Sequence, residues 1–358
     1  MDSIDWEQQR AWVEIDLSAL ANNVREIKRL LAPNTAIMAI VKADAYGHGA
    51  IDVAWTVLAE GVEWLAVATV PEGIKLRQAG IEPPILVLGA VNSDVQIQAI
   101  VKWGLQPTIY NIEQATAISK AIAISKLESL LTVQLKLDTG MSRLGTNWQQ
   151  AVTFFSEVKS LPYLQIGGLY SHLATADELD TTVMEMQIDR FDRSIAEISS
   201  AGHALPILHL ANSAGILAGH RLHYQLVRPG LILYGLAPAP HLQAQIDLQP
   251  VLSVKARIAQ VKEISAGTGV SYGYQFVADR DLRLAIVSIG YADGVPRRLS
   301  GRMQVAIRGQ LVSQVGAITM DQLMLDVSQI TDLQVGEIVT ILGRDGMVEI
   351  TADDWANE

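Results

Sequence analysis

Two lysines, two arginines and three histidines stand in short polar segments that each close an apolar run. The segments are Val41-Lys42-Ala43-Asp44-Ala45-Tyr46-Gly47-His48-Gly49, Lys136-Leu137-Asp138-Thr139-Gly140-Met141-Ser142-Arg143-Leu144-Gly145, Tyr170-Ser171-His172, His209 with Asn212 and Ser213, and Arg228-Pro229-Gly230. A lysine amine joins a carbonyl carbon covalently as an imine, and histidine and lysine both move protons. Arginine offers a fixed fork of donors. A serine hydroxyl and the backbone amides after a glycine suit an anion such as phosphate. Together these groups could anchor a carbonyl compound, bind its anionic end and shift protons beside it.

They can act together only if the apolar runs before them end at one rim. Eight such runs are read, at 38–41, 64–68, 85–88, 107–110, 132–137, 164–170, 207–210 and 225–227. Helical patterns separate nearly all of them. After Asp180, for example, Met184, Ile188, Phe191, Ile195 and Ile198 recur at spacings of four and three, which is one stripe of a helix. Continuous apolar strands between helices predict a parallel sheet buried on both faces, and eight units predict a closed (β/α)8, TIM-like barrel over residues 18–247. Chemistry in such a barrel sits at the C-terminal strand ends, where all the segments fall. A purely structural barrel has no reason to gather these cations there.

The pattern changes near Leu248-Gln249-Pro250. From 251 to 264 apolar and polar residues alternate, which predicts a long half-exposed strand. Further strand-like runs at 284–289, 303–307, 323–327 and 337–342, with glycine-containing turns, predict a mostly antiparallel β domain over 248–358. The early run 12–17 is also strand-like and could belong to either domain, and the helix after it could be capped by Asp16 or Ser18.

Composition narrows the partners. The net charge is −11 without any basic block, which argues against nucleic acid. There is no cysteine, so disulfides, zinc-thiolate sites and a cysteine nucleophile are excluded, and no metal ligand set is read. Residues 1–10 carry acids and no apolar core segment, unlike a signal peptide, and no apolar run nears the roughly 20 residues that span a bilayer. The expectation is a cytoplasmic protein with no membrane partner.

The segment Lys42 to Gly49 resembles the cofactor-lysine motif of the alanine racemase family, the fold-type III enzymes that depend on pyridoxal 5'-phosphate (PLP). The likeness extends, in order, through Glu14-Ile15-Asp16-Leu17, 136–145, His209-Leu210-Ala211-Asn212-Ser213, Arg228-Pro229-Gly230, Val270-Ser271-Tyr272-Gly273, Gly290-Tyr291-Ala292-Asp293-Gly294 and Met320-Asp321-Gln322. Any one segment could arise by chance; the ordered set covers nearly the whole chain.

The resemblance implies racemisation of alanine by PLP, which delocalises the charge left when the α-proton leaves. It makes Lys42 the anchoring lysine and one of two bases. Racemisation needs a base on each face, since one base would return the proton to the side it left. The second is then Tyr272, reaching in from the other subunit of a homodimer with shared active sites. Taken alone, a tyrosine in a β domain reads better as a half-buried rim residue. Arg228 would hydrogen-bond the cofactor's ring nitrogen, His209 would hold Arg228, and His172 would pack against the ring. Tyr46, Asn212, Ser213, Gly230 and Leu231 would hold the phosphate end. Ser213, at a helix start, could equally be a plain N-cap. Arg143, Tyr291 and the Met320 amide would face the substrate, and Lys136 would be carbamylated to position Arg143. The implied role is supply of D-alanine for the cell wall.

Two departures stand out. Family members usually continue beyond the point matching Glu358 into a strand carrying a further phosphate-binding tyrosine. They also commonly place arginine, near the entrance, where Ala317 stands. A racemase of broader range, acting on serine for example, and a non-catalytic PLP carrier therefore remain as alternatives. A related barrel decarboxylase would place an acid where Arg228 stands, and a plain barrel hydrolase gains nothing from these residues.

Overall fold

The computed structural model describes residues 9–125 and 130–358. Residues 1–8, most of the stretch read above as carrying no signal peptide, lie outside the described residues. The chain divides into two compact units, Leu17–Val251 and residues 9–16 with Leu252–Glu358. Strand β1 is Ala11–Ile15. The first unit then runs through β2 (Ala36–Ile40), β3 (Trp64–Val67), β4 (Ile85–Val87), β5 (Gln106–Ile109), β6 (Leu131–Asp138), β7 (Leu164–Tyr170), β8 (Ile207–His209) and β9 (Leu226–Val227).

These are the eight expected strands, and every neighbouring pair from β2 to β8 is parallel. β9 returns to β2, with Leu226 opposite Ala36. Gln225 N donates to Leu208 O at 3.2 Å and Arg228 N to Ala211 O at 3.0 Å, which ties the β9 segment to the β8 segment and closes the ring. The strands are short, buried and rich in β-branched residues and leucine, as a sheet covered on both faces requires. Met38, Ile40, Ala66, Leu86, Tyr170 and Leu226 form part of its filling. The helices lie between strands. Thr182–Ser200 buries Met184, Ile188, Phe191 and Ile198, most of the stripe read from the sequence. It also buries Gln187 and Ser194, two polar residues that the apolar stripe does not account for.

The second unit is an antiparallel sheet. After β1 its strands are β10 (Leu252–Ile264), β11 (Leu282–Val287), β12 (Gln304–Ile307), β13 (Gln310–Val315), β14 (Leu323–Asp326), β15 (Ile338–Asp345) and β16 (Val348–Ile350). Their order is β1-β10-β11-β14-β13-β12-β15-β16, and β15 also pairs with β10, so six strands close on themselves. Ile258, Val287, Val305, Leu325, Val339 and Ile341 fill the centre. The early strand left open by the sequence joins this unit: Ala11 pairs with Ala256 and Ile15 with Leu252, while Leu17 already begins the first helix.

β13 escapes the sequence reading. It is half polar, and its only marker is Arg308-Gly309, both at positive φ, 51° and 72°. Two such residues make the tight connection that joins Ile307 to Gln310 in register. The last described element is the short helix Ala352–Asn357, capped by Thr351 and Asp354.

Candidate active site

A cavity of about 410 Å³ opens among residues that follow β2, β6, β7, β8 and β9. Lys42, Lys136, Arg143, His172, Ser213 and Arg228 line it. So do Tyr46, Asn212, Gly230 and Leu231.

Lys42 leaves β2 into an unusual turn. Ala43, Asp44, Ala45 and Tyr46 all have positive φ, between 52° and 56°, so the chain winds left-handed for one turn. Each L-residue there costs about 1–2 kcal/mol, and the surroundings must fix it. Ala43 N donates to Glu72 Oε1 at 2.6 Å, and Glu72 Oε2 accepts from Ala68 N and Thr69 N, both at 2.8 Å. One carboxylate thus clamps the turn after β2 to the loop after β3. Asp44 Oδ1 accepts from Ala50 N at 3.1 Å and meets Lys75 at 2.9 Å. The turn brings the Tyr46 ring to 5.8 Å from Lys42 Nζ. Its hydroxyl ends beside Gly230, where an added Cβ would stand 3.0 Å from it. Tyr234 braces it, ring to ring at 4.9 Å, and donates its own hydroxyl to Ile40 O at 2.8 Å.

Arg228 is buried. Its Nη1 lies 2.9 Å from His209 Nδ1, and its Nη2 donates to Ser171 O at 2.8 Å and Leu210 O at 3.0 Å. Nη2 is also 3.3 Å from His172 Nδ1. Burial pulls the guanidinium down to about 10, which still leaves it charged at neutral pH. His172 is pushed down to about 3, first by burial and then by Arg228 and Lys136. It is a neutral imidazole. His209 is fully buried, stacks on Tyr170 at 4.6 Å and lies behind Arg228 rather than on the cavity wall.

Lys136 is almost fully buried, with Nζ 5.3 Å from the Tyr170 ring centroid. Burial, then Arg228 and Arg143, lower it to about 8, with Asp138 opposing. Asp138 Oδ1 shapes the Arg143 loop by accepting from Gly140 N and Ser142 N, each at 3.0 Å. Arg190 donates to Thr139 O at 2.9 Å, and the buried Gln187 donates to His172 O at 2.9 Å. The polar positions of the helix Thr182–Ser200 therefore hold two site loops.

At the other end Ser213 Oγ accepts from Gly230 N at 2.9 Å. The expectation that Ser213 could cap the following helix is corrected: Asn212 is the cap, its Oδ1 accepting from Gly215 N at 2.9 Å. That leaves the Ser213 hydroxyl for the cavity. Four cations line a small space whose acidic lining residue is Asp177, so the site is built for anions.

Tyr272, Tyr291 and Met320 belong to the second unit and line a groove of about 1180 Å³ within it. Tyr272 is 70% exposed. Ser271 before it sits at φ 63°, ψ −171°, a strained conformation for a side-chain-bearing residue, and its hydroxyl donates to Ala317 O at 2.7 Å. Ala317, read above as standing near an entrance, is buried in this unit and anchors that turn. Glu72, Tyr234 and Gln187 have no sequence signal as site residues beyond Glu72 falling three places after the cap Thr69.

A parallel α/β barrel with reactive groups on its strand ends, joined in sequence to an antiparallel β unit, defines a two-domain barrel enzyme. Residues 15–238 match the family model "Alanine racemase, N-terminal domain" and residues 251–358 match "Alanine racemase, C-terminal domain". An alanine racemase of Nostoc sp. is 60% identical over 355 residues, 99% of this chain and 92% of that protein. The structure of an alanine racemase from Clostridium difficile aligns with TM-score 0.92 at 34% identity, covering 98% of this chain and 90% of that one. Another, from Bartonella henselae, described with covalently bound pyridoxal phosphate, aligns with TM-score 0.85 at 29% identity, covering 97% and 94%. The chain belongs to the alanine racemase family. It is an amino-acid racemase, an isomerase.

Proposed function

We propose that this chain interconverts L- and D-alanine with PLP as its cofactor, as a cytoplasmic homodimer in which Lys42 and Tyr272 of a second copy are the two bases. The observation that carries the reading is one cavity holding an amine at Lys42, a braced guanidinium at Arg228, and hydroxyls at Tyr46 and Ser213 with the backbone of Gly230 and Leu231 beside them. These residues fit the cofactor chemically: a phosphate suits the hydroxyl end, and an aldehyde suits the lysine.

When bound, PLP would supply the electron sink that makes an amino acid's α-proton acidic. Lys42 Nζ would anchor it, and later take or return the α-proton on one face. The Tyr272 hydroxyl would do the same on the opposite face. Arg228 can only donate, so it would leave the ring nitrogen unprotonated and temper the sink, at a gain in reaction fidelity. His172, neutral at physiological pH, would pack against the ring without adding charge. Arg143 and the Met320 amide would orient the substrate carboxylate, and Tyr291 would limit side-chain size. Lys136, held near 8, has a neutral fraction able to add carbon dioxide, which would turn a cation beside Arg143 into an anion. Mass spectrometry that preserves labile carbamates and finds a bare amine would remove that last element.

The test is direct. Added PLP should give a visible absorption band, and L-alanine should then lose optical activity. No band after PLP addition would defeat the cofactor reading. L-Serine is run alongside, since Ala317 in place of the family's arginine favours a broader range. Tyr272→Phe should slow proton abstraction from one enantiomer far more than it weakens PLP binding. Equal losses would sink its role as a base.

A further inference from the structure

Behind the cavity the hydrogen bonds run in one direction. Arg228 has donors only, so His209 Nδ1, 2.9 Å from its Nη1, must accept. The imidazole proton is then on Nε2, which must donate. The atom in front of it, at 3.2 Å, is Gln134 Oε1. The other end of that amide, Nε2, donates to Gln106 Oε1 at 2.7 Å. An amide could be turned either way, but here both its orientation and the histidine tautomer follow from the one group that cannot change. Gln134 and His209 are each at most 1% exposed.

The barrel wall is shaped around this chain of bonds. Gly167-Gly168 interrupts β7, where paired glycines weaken a strand. A Cβ at Gly168 would stand 1.8 Å from Gln134 Oε1 and 3.2 Å from His209 Nε2. The ladder between β6 and β7 also shifts register between Val133 and Gln134. An ordinary strand would leave no room for a glutamine to meet the histidine.

We propose that Gln134 is a positioning residue of this racemase: its carbonyl holds His209 as the neutral Nε2–H tautomer, and His209 in turn holds the Arg228 guanidinium in place at the cavity. This rests on Arg228 acting in the site as set out above. Arg228 from the end of β9 and Lys136 from β6 both oppose a second proton on His209. The Tyr170 phenol from β7 stacks on it and adds no charge at neutral pH. A carboxylate in place of the Gln134 amide would reverse this and favour the imidazolium, whose Nδ1–H would face an Arg228 N–H.

The experiment uses the PLP-loaded enzyme labelled with 15N-histidine, with His209→Asn to assign the resonance. In the wild type, His209 should remain a neutral Nε2–H imidazole from ~pH 5.5 to ~8.5. In Gln134→Glu it should titrate within that window. The pH profile of kcat should gain the same transition, with kcat down roughly ten- to a hundredfold on the acid side and KM little changed. Gln134→Met, similar in size but without an acceptor, should lower kcat at every pH without adding the transition. A merely structural role would lower the melting temperature in both variants and leave tautomer and pH profile alone, and that result overturns the proposal. So does a wild-type His209 protonated on Nδ1. If the wild type binds PLP but does not racemise, the functional reading fails, and the spectrum still decides whether Gln134 sets the tautomer.

Discussion

His172 and His209 are neutral because they are buried beside cations, and that has a stability cost in acid. The unfolded chain takes up a proton on each histidine near 6.5, whereas His172 in the folded chain does so only near 3. Between those values the unfolded state binds more protons, so stability falls as pH drops through about 6.5 and levels off near 3. His209 acts in the same direction. Denaturant midpoints measured from pH 8 down to 4 should show this decline, and His172→Asn should flatten part of it. An unchanged slope in that variant would assign the decline elsewhere. At this scale a residue's type states its capacity in the sequence, as for Lys42, Arg228, Ser213 and Gly230, which the fold brings to one cavity. Gln134, Glu72 and Tyr234 are not legible, because each matters through a partner far away in the chain. Glu72 is 29 residues from the amide it holds, and Gln134 is 75 from its histidine.

The barrel strands are legible because burial on both faces demands continuous apolar runs. The winding of the turn after Lys42 is not. Lys-Ala-Asp-Ala-Tyr contains good right-handed helix formers, and only the clamp by Glu72 and Asp44 explains its opposite hand. The handedness inverts the usual effect of glycine. In a right-handed helix Ala→Gly costs about 1 kcal/mol. At Ala43, exposed and at φ 52°, Ala43→Gly should instead be neutral or stabilising by up to about 1 kcal/mol. A thermal midpoint lowered by several degrees in that variant would contradict a left-handed turn. β13 was hidden for a different reason: it is half polar without a clean alternation, and pairing on both sides, with β12 and β14, supplies what its own sequence lacks.

Across the whole molecule, the proposed shared site makes activity depend on assembly. Specific activity should fall on dilution in step with the dimer fraction seen by sedimentation, and a fully active monomer would exclude a base from the partner. The two units are interleaved in the chain, and this carries a separate consequence. Ala11–Ile15 is made well before its partner Leu252–Ile264, which emerges about 240 residues later. At ~5–20 residues per second that is roughly ten to fifty seconds on the ribosome. The second unit must therefore wait for nearly the whole chain before it can close. Meanwhile β1 is an unpaired strand edge, of the kind that charged side chains shield from foreign strands. Arg10, just before that strand, and Glu14 on it, which in the finished fold meet Asp293 and Lys255, flank its edge from the moment it leaves the tunnel.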